Sequence, residues 1–178
     1  MVGIRERVSE DRTFLKKLEL AIPGFRGYRK REDRRVADAL LRKQLADGLK
    51  ECGKQAEEIR DVLASQMELD LLKSAGYVVN EINALEAKVR HAEQGYAGVA
   101  ADINVLEKEI EKLYEFDYML IENTKKLRNL MDSANSSMDV GDIGSLKTQI
   151  RAIRAEIKNF NSLFNKRIGT ITNTGVFA

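Results

Sequence analysis

IGSLKTQIRAIRAEIKNFNSLF, residues 143–164, decides the fold class. Ile143, Leu146, Ile150, Ile153, Ile157, Phe160 and Phe164 recur at spacings that alternate 3 and 4. Such a pattern draws one apolar stripe along one face of an α-helix, whereas a half-buried strand needs a period of two. Lys147, Arg151, Arg154 and Lys158 flank the stripe. Two or more such helices bury their stripes against one another, so the segment implies a helical bundle.

The same alternation extends upstream. Ile103, Leu106, Ile110, Leu113, Asp117, Leu120, Thr124, Leu127 and Met131 keep a 3, 4 register, with two polar members, Asp117 and Thr124. Leu45, Leu49, Cys52, Ala56, Ile59 and Leu63 form another seam, continued less regularly through Leu69, Leu72, Ala75, Val79, Ile82 and Val89. Long helices are therefore expected over about 29–92, 99–132 and 143–167. A kink is expected near 65–76, where Gly76 marks a bend or a close helix crossing. A shorter N-terminal helix, 4–21, carries Ile4, Val8, Leu15, Leu18 and Ala21. It stops at Pro23 and Gly24, because proline disfavours α geometry at Ile22. Turn chemistry predicts loops at 94–99, QGYAGV, and at 133–142, SANSSMDVGD.

Proline occurs once and glycine 12 times in 178 residues, a scarcity of breakers that fits long helices. The reading is all-α: an elongated antiparallel bundle of three long helices plus the shorter N-terminal one, a single domain over 1–167. Residues 168–178, IGTITNTGVFA, carry no charge and many β-branched side chains. They are expected to form a non-helical, extended tail.

The net charge of +2 conceals alternating blocks. Residues 1–50 carry 14 Lys/Arg against 8 Asp/Glu, residues 51–123 carry 7 against 16, and residues 124–178 carry 9 against 4. Either the blocks neutralise one another as the chain doubles back, or a basic end meets an acidic partner. The lone Cys52 lies at an apolar position and reads as a buried thiol. The charged N-terminus lacks the apolar run of a signal peptide, and no stretch of about 18 apolar residues occurs, so the expected location is cytoplasmic.

Few groups point to catalysis. The one histidine, His91, lacks the Glu-x-x-His spacing of a di-iron bundle and reads as a helix-end residue. HExxH, CxxC and phosphate-binding glycine loops do not occur. No catalytic, metal or cofactor residue is assigned, and no small-molecule substrate is expected. Glu107, Glu111, Glu115 and Glu122 fall mostly off the seam and read as solvated. Asp117 faces the core in register, so it needs a partner: an arginine from another helix or a tyrosine hydroxyl.

PGFRGYRKREDRR, residues 23–35, concentrates Arg26, Arg29, Lys30, Arg31, Arg34 and Arg35 around Phe25 and Tyr28. It can be a structural turn that packs both aromatics, or a phosphate grip with bases stacked on them. Arg34 and Asp38 have i, i+4 spacing and are expected to pair. The stretch through Arg42 resembles GFxGYxxxExRRxxDxLLR, a block of a family of uncharacterised prokaryotic helical proteins. It matches at Gly24, Phe25, Gly27, Tyr28, Glu32, Arg34, Arg35, Asp38, Leu40, Leu41 and Arg42. A later stretch, 90–122, is similar at Gly95, Tyr96, Gly98, Leu113, Tyr114, Phe116 and Asp117. The resemblance brings no activity and no catalytic residues. It implies that the turn and the LYEFD segment are structural signatures that meet, with Arg34 or Arg35 pairing with Asp117.

The function expected is that of a non-enzymatic scaffold or adaptor acting through protein–protein contact, with self-association along the last helix. The tail, with Ile171, Val176 and Phe177, is expected to add a strand to a partner's sheet. The alternatives are nucleic-acid binding through 26–35 and peripheral association with an anionic membrane through the basic N-terminus.

Overall fold

The computed structural model describes residues 14–28, 31–92 and 103–174, with the side chains of 31–34, 103–107 and 173–174 outside the description. The order is α1 (residues 14–21), α2 (Arg31–Ser65), α3 (Leu69–Arg90), α4 (Ile103–Asp139) and α5 (Ile143–Thr174). The described residues contain no strand, and the helices pack against each other. No helix among them is long and apolar enough to cross a membrane.

The seams behave as their spacing requires. From Leu146 to Phe164 every member of the α5 stripe is buried, as are Leu45, Leu49, Cys52, Ala56, Ile59 and Leu63 on α2. The α5 stripe is thus buried within the chain.

Three boundaries differ from expectation. The 29–92 pattern is two helices, separated by 66–68 within the expected kink region. Met67 there is left-handed, at φ 59°. The Glu68 amide donates to Leu63 O at 3.1 Å and the Met67 amide to Ala64 O at 3.3 Å, which closes the last turn of α2 in a Schellman arrangement. Gly76 marks neither bend nor crossing: it lies inside α3, with open space where a Cβ would go. The close crossing is at Gly48, where a Cβ would lie 2.5 Å from Thr124 Cγ2.

The expected loop 133–142 shrinks to 140–142, since α4 continues to Asp139. Ala134 and Ser137 are buried, so the helical register outlasts the turn-like composition. Ser133 and Ser136 donate their hydroxyls back to Asn129 O and Asp132 O. The stop comes at Gly141, φ 70°, and Asp142 Oδ1 then accepts from the Ser145 amide at 3.0 Å to cap α5. Those bonds hold the Asp142 carboxyl below its usual range.

The non-helical tail is the third correction. Residues 168–174 continue α5, and Ile171 is buried. Packing at this seam position outweighs β propensity, and Thr170 and Thr172 bond back to Lys166 O and Ile168 O. Strand addition by Ile171 falls with it; Val176 and Phe177 lie outside the described residues.

Two compact units divide the chain. The first draws on Met1–Gln44, Ala92–Ile121 and Leu163–Ala178, the second on Leu45–His91 and Glu122–Ser162. The second has a core of aliphatic side chains from α2 to α5, with Phe160 and Met131. In the first, α1, the 22–28 turn and parts of α2, α4 and α5 enclose aromatics and a group of charges.

Candidate functional site

The site begins at the turn after α1. The Phe25 amide donates to Ile22 O at 3.1 Å, and Gly24 and Gly27 take φ values of 81° and 79°. Gly27 is required twice over: its φ excludes most side chains, and a Cβ there would lie 2.5 Å from Tyr114 Oη. That close approach lets the Tyr28 amide donate to Tyr114 Oη at 2.8 Å. The two tyrosine rings stack at 5.4 Å, and Phe25 meets Tyr28 edge-on at 5.5 Å. α1 is secured nearby: Phe14 packs on Tyr118 at 5.4 Å, with Lys17 Nζ 4.7 Å from the Tyr118 ring centre.

The Tyr28 hydroxyl then enters a buried charge cluster. It donates to Asp117 Oδ2 at 2.5 Å and accepts from Arg167 Nη2 at 3.1 Å. Arg167 Nε donates to Asp117 Oδ1 at 2.6 Å, and Arg167 Nη2 lies 2.8 Å from Asp38 Oδ1. Asp38 Oδ2 accepts from Arg42 Nε at 2.8 Å. Tyr28, Asp117 and Arg167 have no exposed surface, and Asp38 has 2%. Among the described residues two arginines face two aspartates, a balance of charge.

Burial dominates its electrostatics. It pushes the Tyr28 phenol well above its usual value, and Asp117 adds to the shift. It also raises the Asp117 carboxyl, against the pull of Arg167 and Tyr28. Burial opposes the charge on Arg167, but Asp117, Tyr28 and Asp38 outweigh it and hold the guanidinium above its ordinary range. Both Asp117 oxygens are acceptors, which is the role of a carboxylate. The arrangement offers solvent no access to Tyr28 or Asp117. It joins the turn, α2, α4 and α5 at one point.

The expectation that Asp117 is buried and paired therefore holds, with both kinds of partner at once. Among the described side chains the arginine on Asp117 is Arg167. Arg35 is exposed, and the side chains of Arg31 and Arg34 lie outside the described residues, as does Arg29. Asp38 pairs with Arg42 and Arg167, and the expected Arg34–Asp38 pair lies outside the described residues. The two sequence blocks do meet, through Tyr28, Tyr114 and Asp117. Phe25 and Tyr28 are buried, so neither can stack on a base, while Arg26 is exposed. Glu111, Glu115 and Glu122 are exposed, and His91 is the C-terminal cap of α3. Among the described residues no group of three or more His, Cys, Asp or Glu is placed to hold a metal ion.

Arg167 was the residue missed. Its signal was present: adding 3 to Phe164 gives Arg167, and adding 4 more gives Ile171. Asp38 likewise lies three residues before Leu41, on the extension of the α2 seam. Comparison with protein-family models, characterised proteins and solved structures returned no match.

Proposed function

We propose that the protein is a non-enzymatic helical scaffold or adaptor that engages a protein partner through the α2–α3 turn. The observation that carries this is Met67. It occupies the left-handed position that ends α2, where α4 uses Gly141 for the same geometry. A non-glycine residue there costs about 1–2 kcal/mol. The Met67 side chain is 82% exposed, and Leu69 beside it is 71% exposed. A costly backbone that holds two large apolar side chains in solvent is a feature of contact surfaces, where methionine adapts to a partner's shape.

Register within the second unit supports a larger patch. Gly48 approaches Thr124, and Gln55 Nε2 donates to Asp132 Oδ1, so α2 and α4 advance together towards their ends. That brings the exposed Val140 to the end that carries Met67. Asn123 with Asn159, and Lys126 with Glu156, favour opposite courses for α4 and α5, in keeping with an antiparallel bundle. Asp61, Glu68, Asp70, Asp139 and Asp142 flank Met67, Leu69 and Val140 in the sequence, against Arg60 and Lys73. The partner surface that fits is an apolar seat with a basic rim.

A photo-crosslinking residue at position 69 tests the reading in cells, with the exposed position 54 as control. A discrete protein adduct from 69, absent from 54 and lost in Met67→Gly, is expected. An adduct of twice the chain mass identifies the partner as a second copy. No adduct from 69 overturns the proposal. Met67→Gly should also raise stability by up to about 1 kcal/mol, measured by urea denaturation, because it relieves the left-handed strain.

A further inference from the structure

We infer that an internal water molecule is bound to Nη1 of Arg167 and belongs to the folded core of the first unit. A guanidinium presents five N–H groups in a fixed fork. Nε of Arg167 is engaged by Asp117, and Nη2 by Asp38 and the Tyr28 hydroxyl. Nη1 has no hydrogen-bond partner among the described residues. The side chain has no exposed surface, so bulk solvent does not reach that nitrogen. A buried charged donor left unpaired carries the largest desolvation penalty of any polar group, and buried polar groups find partners almost without exception.

The charge balance selects the ligand. Arg42 and Arg167 already face Asp38 and Asp117. An anion on Nη1 would add a third negative charge beside two carboxylates, in a place without solvent to screen it. A neutral acceptor adds none. It must be small, because Tyr28, Asp117 and Arg167 are all fully enclosed. It must also dispose of any hydrogens it carries. Each oxygen of Asp38 and Asp117 takes one of the named donors and keeps a further lone pair, so acceptors for a water's hydrogens lie in the same cluster. Water meets these conditions with the two to four partners that a buried water needs. Its exchange with solvent then requires the cluster to open.

Crystals of the full chain grown without halide, and again with bromide, test this. One oxygen-sized peak within about 3 Å of Nη1, the same in both crystals and without anomalous signal, is the expected result. An anomalous bromide peak there overturns the neutral ligand and makes the site an anion site. A protein acceptor on Nη1, or no density beside it, overturns the inference outright. Water-oxygen-17 relaxation dispersion on the same protein gives a check in solution. A long-lived water is expected, and a flat profile counts against it.

Discussion

The two units are held by different physics. In the second, the core is aliphatic, and its described ion pairs reach solvent on at least one side: Arg154 bonds Glu81 at 2.9 Å and Arg90 bonds Asp47 at 3.0 Å, with both arginine side chains about a third exposed, at 37% and 35%, and the buried Glu156 pairs with the exposed Lys126. In the first, two aspartates, an arginine and a tyrosine are taken out of water altogether. Apolar burial is non-directional and tolerates sliding along a 3, 4 seam. A cluster in which each oxygen has a named donor tolerates one register only. One unit gains stability from area; the other gains specificity at the expense of desolvation.

Removing one arginine from each unit tests that contrast most severely. Arg167→Met leaves Asp38 and Asp117 buried without their shared cation, and should cost about 3–5 kcal/mol. Arg154→Met removes a pair about a third exposed and should cost at most about 1 kcal/mol. Urea denaturation midpoints give both numbers. If Arg167→Met does not fold, Tyr28→Phe deletes only the bridging hydroxyl, at about 1–3 kcal/mol. Equal losses for Arg167→Met and Arg154→Met would end the distinction between the units.

The same contrast explains what could be read from the chain. Apolar periodicity survives local composition, so the helices were legible, and so was Asp117 as a core carboxylate in need of a partner. Its arginine partner is hidden because the apolar run of the α5 stripe ends at Phe164. The next seam position is a cation, and the segment beyond it is β-branched. Ser133 to Asp139 misled in the same way: turn-forming side chains there bond back to their own helix, and Ala134 holds the register. A seam that carries charge hides in a search for apolar repeats, although its spacing is unbroken. Met67 was invisible for another reason. Left-handed geometry is ordinarily announced by glycine or asparagine, and methionine gives no such signal.

Glycines sharpen the comparison next. Gly27, in the first unit, combines a φ of 79° with a Cβ position 2.5 Å from Tyr114 Oη. Gly27→Ala should cost about 1–3 kcal/mol from the backbone alone, and should also part Tyr28 from Tyr114. Tyrosine fluorescence and thermal denaturation report the two effects. Gly76, in the second unit, sits inside α3 with nothing within 4 Å of a Cβ, so Gly76→Ala should gain up to about 1 kcal/mol. A stabilising Gly27→Ala would mean that the turn does not need its close approach.

Cys52 gives the smallest effect and isolates the second unit's apolar core. Burial pushes its thiol from the usual 9.0 up to about 11. The folded chain therefore keeps its proton over a range in which the unfolded chain has lost it. Stability from this group is complete below pH 9 and falls as pH rises towards 11. By pH 10 the loss should be about 1–2 kcal/mol, and Cys52→Ser, which has no thiol to ionise, should lack that slope. Alkylation of the native thiol at pH 9 should be slow and should speed up with urea, because the sulfur is reached only when the helices open. Rapid native alkylation would show that the seam around Cys52 admits solvent, and the aliphatic unit would then be the looser of the two.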